Sequence, residues 1–270
     1  MTLVQMTLVQ MTNYKFFSFS LAIGLVAVSL MAPTPVLSAP LEEIQERGKL
    51  IVAVKDNLRP LGFRGKDGNL QGLEIDIAKR LAEELLGKSD AVVLQPVTNL
   101  ERLNVVLQGK VDLAIARVTA TDSRLRLVYL SAPYYVDGTG LVTKDTSIKQ
   151  LSDLATKKIA VLNVSNTIAV VRHNLPRAKL VGVKSYEEAR SLLENGGADA
   201  FAADKSVLSG WVQEYSEYKL LPERLSAEAL CVVIPKGVKY SKLQLQVNQA
   251  IARLSASGWL AERVAAWGLL

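Results

Sequence analysis

The sequence predicts an α/β protein with mostly parallel sheets. Two observations predict it. Short apolar runs alternate with segments of helical periodicity, and the alternation runs twice, once before about residue 137 and once after it. A third observation points to a site: Arg124 follows a strand end in the first half and Asp204 follows one in the second. Sheets of this kind bind ligands beyond the carboxyl ends of their strands.

The elements follow in order. Residues 50–54 form the first strand. The segment from Gly72 to Gly87 reads as a helix, with Ile75, Ala78, Leu81, Ala82 and Leu85 at helical spacing, acids in the first turn and Gly87 closing it. A strand at 91–97 and a helix at 101–107, ending at Gly109, come next. Residues 111–116 alternate apolar and small side chains and read as a buried strand. Pro133, Tyr134 and Tyr135 lead into an extended run to Val142. Ser147 and Ser152 are read as starts of short helices. A strand at 159–163 precedes a helix at 165–174 stopped by Pro176. A strand at 180–183 precedes a helix capped by Ser185 and ended by Asn195, Gly196 and Gly197. Residues 198–203 form a strand, and Asp204 begins another helix. Residues 230–234 are extended. The tail from Tyr240 is helical, with Leu243, Val247, Ala250, Ile251 and Leu254 on one face, a break at Gly258 and a last helix ending at Trp267 and Gly268.

The segment V-D-L-A-I-A-R-V-T-A-T-D-S-R, residues 111–124, carries the chemistry. Thr121 is a good N-cap for a short helical turn, and Asp122 suits its positive end. Thr119, Thr121, free first-turn N–H groups and Arg124 converge at one strand end. N–H groups solvate negative charge and a guanidinium grips a carboxylate at two points, so the set suits a carboxylate. Read locally, Thr121 is only a cap and Arg124 a surface arginine.

Composition narrows the function. Of 270 residues, 49% are hydrophobic and 21% charged, as in ordinary globular proteins, and the length allows two domains. The single cysteine, Cys231, excludes an internal disulfide framework and a multi-cysteine metal site; its apolar setting reads as a buried, inert thiol. Residues 1–39 hold one base, Lys15, and no acid, around an apolar run and a P-T-P-V-L-S-A segment ending in small residues. This is a secretory signal peptide, with Met11 the expected start after the repeated M-T-L-V-Q; an uncleaved anchor is the alternative. Without it the net charge falls from +6 to +5, which fits an acidic small ligand. No run of bases interleaved with aromatics suggests nucleic acid.

G-L-E-I-D-I-A-K-R-L-A-E-E-L from residue 72 matches the signature of bacterial extracellular solute-binding proteins of family 3, the amino-acid receptors of ABC importers. The segment 111–124, then L-S-A-P-Y-Y-V-D-G-T-G-L, resembles the family's strand, T-x-x-R clamp and hinge entry. A-D-A-F-A-A-D-K-S-V-L resembles its second-lobe aspartate motif, and A-A-W-G-L its closing helix. The resemblance runs from about residue 45 to the end. It implies a two-lobed, periplasmic-binding-protein-like type II fold with two crossing hinge strands. Lobe 1 would be residues 40–137 and 229–270, and lobe 2 residues 138–228.

By the same resemblance, Arg124 clamps the ligand's α-carboxylate, helped by Thr119 and Thr121, and Asp204 takes the α-ammonium from the opposite lobe. Both are satisfied only when the cleft shuts, so the ligand favours the closed state. Ser165, Asn166 and Thr167 occupy the loop where the family shows a Gly-Ser/Thr-Thr turn, with Val164 in the glycine's place. Leu58 and Asn99 stand where binders of basic or aromatic ligands carry rings, which argues against cation–π capture. Arg102 falls where acidic-amino-acid binders carry an arginine for the side-chain carboxylate. Lys55, Arg59 and Arg117 add positive charge, and Arg117 replaces a residue that is commonly Ser, Thr or Gly. The expected ligand is glutamate or aspartate, then glutamine or asparagine.

The expected role is therefore a periplasmic or otherwise extracytoplasmic monomer that hands an amino acid to ABC permease subunits, with no cofactor, metal or catalytic residue. The alternative is an enzyme resembling cyclohexadienyl dehydratase on the same scaffold. His173, the single histidine, sits at a helix end away from these motifs and offers no catalytic set.

Overall fold

The computed structural model describes residues 39–163 and 165–269. The expected leader, except for Ala39, lies outside the described residues, as does Val164. In chain order come helix α1 (Leu41–Arg47), strand β1 (Leu50–Val54), the short strands β2 (Asn57–Leu58), β3 (Gly62–Arg64) and β4 (Leu70–Gln71), helix α2 (Leu73–Leu86), β5 (Val92–Pro96), α3 (Glu101–Leu107), β6 (Leu113–Ile115), α4 (Asp122–Leu127) and the long strand β7 (Tyr129–Asp137). After Gly138 follow β8 (Thr139–Thr143), β9 (Lys158–Leu162), α5 (Thr167–Asn174), β10 (Lys179–Val183), α6 (Tyr186–Glu194), β11 (Ala200–Asp204), α7 (Lys205–Glu214), β12 (Lys219–Leu220), β13 (Glu228–Ile234), α8 (Ser241–Ala256) and α9 (Trp259–Ala266).

Two five-stranded sheets organise these elements, in the orders β5-β1-β6-β13-β7 and β10-β9-β11-β8-β12. Strands β2, β3 and β4 form a small third sheet. The chain passes from the first sheet to the second at Gly138 and comes back into the first along β13. Each large sheet is covered on both faces, so central strands such as β1 and β6 are buried throughout rather than alternating. In β1, Leu50, Val52 and Val54 join one core with α2 and α8, while Ile51 and Ala53 join another with Val105 and Val106 of α3. In β11, Phe201 and Ala203 face one core, Ala200 and Ala202 the other. The predicted face of α2 is the buried one: Ile75, Ala78, Leu81, Ala82 and Leu85 all pack inside.

The sheets are mixed, which corrects the expectation of mostly parallel pairing. β1 pairs parallel to β5 and β6, and β9 parallel to β10 and β11. β13 runs antiparallel to both β6 and β7, and β8 antiparallel to β11 and β12. The cause is the crossing: the strand that leaves a sheet and the one that re-enters it run opposite ways. Two local expectations also change. Gln150 rather than Ser152 caps the short 3-10 turn Leu151–Leu154. Ser147 starts no helix, because its N–H and hydroxyl both bond to the Asp145 carboxylate in a turn.

Two glycines allow close approaches. Gly72 sits at φ 126° before α2, and a Cβ there would strike the Leu61 carbonyl. Gly210 of α7 presses against the backbone of Arg59, so a helix packed on the second sheet meets the β2–β3 turn without a side chain between. Nearby, Gln213 of α7 donates to the Trp267 carbonyl at 2.8 Å. Trp267 in turn donates from Nε1 to Asp76 of α2 at 2.8 Å.

Candidate ligand-binding cleft

The ends of β1, β5 and β6 bring the candidate residues together, because parallel strands in register deliver their carboxyl ends to one edge. Past β6 the chain turns at Arg117, which has φ 51°, an uncommon left-handed conformation for a non-glycine residue. Glu74 holds that turn. It is fully buried on α2, and its Oε1 accepts the Arg117 N–H at 2.6 Å and the Tyr134 hydroxyl at 2.6 Å. Its Oε2 is buried without a hydrogen-bond partner. Burial pushes the Glu74 carboxyl up, and the two donated bonds pull against that shift.

Three guanidiniums gather along residues 116–119. Arg102 reaches from α3 and donates to the carbonyls of Ala116, at 2.9 Å, and Arg117. Arg124 of α4 donates to the Thr119 carbonyl at 2.7 Å and to the Thr119 hydroxyl. Arg117 itself turns the other way, across the cleft. Its Nη2 pairs with Asp204 at the end of β11, and its Nε lies 3.6 Å from the Asp137 carboxylate. Asp137 is fully buried and accepts the Ser206 N–H at 3.0 Å and the Ser206 hydroxyl at 2.5 Å.

The electrostatics follow from this crowding. Burial and the charges of Arg124 and Arg117 lower Arg102 to about 10. Burial and Arg117 lower Arg124, against a partial opposing pull from Glu228. For Arg117 burial works downward, but the carboxylates of Asp204 and Asp137 outweigh it and raise the guanidinium. Burial raises the Asp204 carboxyl, with Asp137 adding to the rise and Arg117 opposing it.

A cavity of about 620 Å³ opens beside this cluster. Lys55, Asn99 and Arg117, from the ends of first-sheet strands, and Leu58 of β2 form much of its wall, and Tyr186 and Val207 close it from the second-sheet side. Lys55 is buried and donates to the Val97 carbonyl at 2.8 Å. Leu58 and Asn99 thus do line the cavity, where an aromatic pair is lacking.

The other expected site residues are placed as follows. Thr121 is exposed and caps α4, its hydroxyl accepting the Arg124 N–H. Ser165 and Asn166 lead into α5, which Thr167 begins; Thr167 is buried and donates its N–H to the Ser165 hydroxyl at 3.2 Å. Arg59 is exposed and stacks on Phe63, 3.8 Å from the ring centre, beside a second cavity of about 350 Å³ shared with Tyr186 and Trp211. Of the arginines, threonines, aspartate and lobe 2 loop residues expected to bind ligand, Arg117 alone is on the wall of the larger cavity, with Lys55, Leu58 and Asn99 beside it. Four participants escaped the sequence reading: Glu74, Asp137, Tyr186 and Glu228. Asp137 carried a signal, an acid inside the apolar stretch that joins the two halves.

A family model for bacterial extracellular solute-binding proteins, family 3, matches residues 50–269. The chain belongs to that family. Among its curated relatives, the glutamine-binding protein of Geobacillus stearothermophilus is 34% identical over 203 residues, which is 74% of this chain and 77% of that one. The L-cystine-binding protein of Escherichia coli strain K12 is 29% identical over 88% of this chain and 90% of its own. Among solved structures, an ancestral cationic amino-acid solute-binding protein superposes with a TM-score of 0.72 at 28% identity, covering 84% of this chain and 99% of that one. Another structure of that reconstructed protein describes it as a precursor of cyclohexadienyl dehydratase. The fold is thus that of type II periplasmic amino-acid-binding proteins, and the family is one of amino-acid binders that work with ABC transporters. Among the described residues no helix is long and apolar enough to cross a membrane.

Proposed function

We propose that this chain captures a polar amino acid, glutamate or aspartate in preference to glutamine or asparagine, and delivers it to ABC permease subunits in the membrane. It acts outside the cytoplasm, brought there by the leader at 1–39, and as a monomer. Lobe 1, residues 40–137 and 229–270, closes on lobe 2, residues 138–228, around the ligand. Arg124 with Thr119 and Thr121 takes the α-carboxylate; Arg102, Arg117 and Arg59 supply cations for a second carboxylate; Asp204 and the loop of Ser165, Asn166 and Thr167 face them from lobe 2. The observation that carries this reading is the gathering of three guanidiniums along residues 116–119, beside a cavity large enough for an amino acid. Surplus cations in a partly dry cleft favour carboxylates and reject a cationic side chain.

A thermal-shift screen of the twenty amino acids tests it, since a ligand that binds only the folded state raises Tm. Glutamate or aspartate should give the largest rise. A largest rise with arginine or lysine would overturn the preference. Arg102→Ala should weaken glutamate about tenfold and glutamine little, the scale of one charge-assisted hydrogen bond; equal losses would remove the second carboxylate from Arg102.

The structural relationship to a dehydratase precursor supports a second reading, an enzyme on this scaffold. We read the chain as a receptor, because its curated relatives are named as binding proteins. Turnover of prephenate or arogenate by the purified protein would overturn that choice.

A further inference from the structure

We propose that Arg117 is an internal counter-charge that the ligand has to exchange, and that this exchange selects an amino acid with a second carboxylate. The ligand's ammonium takes Asp204 from Arg117, and the released guanidinium takes the carboxylate at the far end of the ligand. The proposal rests on the amino-acid reading above, with Asp204 as the ammonium's partner, and adds how an acidic ligand is chosen over its amide.

The geometry starts at the backbone. Arg117 follows β6 at φ 51°, and its N–H is tied at 2.6 Å to Glu74, which is fully buried. The side chain therefore leaves the first sheet from a fixed point. It reaches the second sheet, where Nη2 pairs with Asp204 and Nε lies 3.6 Å from Asp137. The arginine side chain is 18% exposed and that of Asp204 24%. Arg117 also stands on the wall of the 620 Å³ cavity. One guanidinium thus belongs both to the ligand's space and to an ion pair across it.

Taking one partner of a largely buried pair leaves the other charge without compensation, which a half-dry cleft penalises far more than water does. An ammonium on Asp204 would leave Arg117 facing Asp137, and Asp137 is already committed to two bonds from Ser206. Arg102 and Arg124 offer only repulsion. Glu228 is the rival landing place. It stands opposite Asp137 in the β7–β13 ladder and, among the described residues, forms no ion pair. Burial and Asp204 raise its carboxyl, which makes it the weaker partner for a guanidinium. A second carboxylate on the ligand is the stronger one. Glutamine offers an uncharged amide oxygen there instead. An acidic ligand therefore replaces one internal pair with two, and its amide replaces it with one.

The test is calorimetric titration of the full chain with glutamate and glutamine. The wild type should bind glutamate at least about tenfold tighter. In Arg117→Ser no internal pair has to be broken, so glutamine should tighten by about fivefold or more while glutamate moves by less than about threefold. An arginine that only touches the ligand would do the reverse, weakening glutamate and leaving glutamine unchanged. That result overturns the exchange and leaves the receptor reading standing. Asp204→Asn serves where Arg117→Ser does not fold. It frees Arg117 from the start, so the preference for glutamate over glutamine should widen by about threefold or more. A preference that holds or narrows in Asp204→Asn overturns the exchange. Equal affinities in the wild type overturn it as well, together with the acidic preference, but not amino-acid capture. Binding of neither ligand, with no thermal shift by any amino acid, overturns the receptor reading itself.

Discussion

The two walls of the cleft are built differently. The first-sheet wall carries Lys55, Arg102 and Arg124, each anchored on backbone carbonyls of its own half. The second-sheet wall offers Asp204, Tyr186 and Val207, and its acid finds its partner across the gap, in Arg117. One wall is set by local bonds and exists whatever the other does. The second is completed only by a side chain from the first. A cleft of this kind has one cation-rich face fixed by local bonds and a facing surface whose charge balance depends on the other side.

The comparison breaks most readily at Arg124. Arg124→Ala should reduce carboxylate affinity about a hundredfold, the scale of two charge-assisted hydrogen bonds or about 3 kcal/mol. The Tm without ligand should move by no more than about 2 °C, because a partly exposed side chain bonded to one residue contributes little to the fold. Titration calorimetry checks the first and thermal unfolding the second. Unchanged affinity would remove Arg124 from the site.

Asp204→Asn sharpens the contrast. If the second wall's acid holds Arg117 rather than the ligand, carboxylate affinity should fall less than tenfold. The unliganded protein should meanwhile show a larger radius of gyration by solution X-ray scattering, the cross-cleft pair being gone. A hundredfold loss without expansion would put Asp204 on the ligand.

The smallest effect concerns the support behind the fixed wall. Burial raises the Glu74 carboxyl above its ordinary 4.5, so between the two values the folded chain keeps a proton that the unfolded chain has lost. Glu74 therefore subtracts stability as pH rises through that window, and its contribution is more favourable below it. Glu74→Gln should flatten the Tm profile on the alkaline side of pH 4.5, by a few degrees. A profile with undiminished slope would assign the dependence to another group.

Much of the fold was legible because it rests on periodicity. The spacing of Ile75, Ala78, Leu81, Ala82 and Leu85 predicts the buried face of α2, and the apolar run at Leu50–Val54 predicts a strand covered on both sides. Strand direction was not legible, since an apolar run reads the same in parallel and antiparallel pairs; only the crossing at Gly138 decides it. Thr121 read correctly as a cap because capping is local. Glu74 read as a first-turn acid, and its burial beneath Arg117 depends on a turn 43 residues away. The Arg117–Asp204 pair joins residues whose nearness comes only from the way two sheets face each other. Cys231 behaved as its flanks suggested: it is buried in β13, and burial pushes its thiol up to about 11.

Gly210 turns the description into a tool. Because α7 meets the Arg59 loop with nothing but hydrogen at that point, one methyl group there is a doorstop. Gly210→Ala would wedge the α7 contact apart by pushing on the Arg59 backbone, while leaving Arg102, Arg117, Arg124 and Asp204 in place. It would separate the strength of the grip from the freedom to shut.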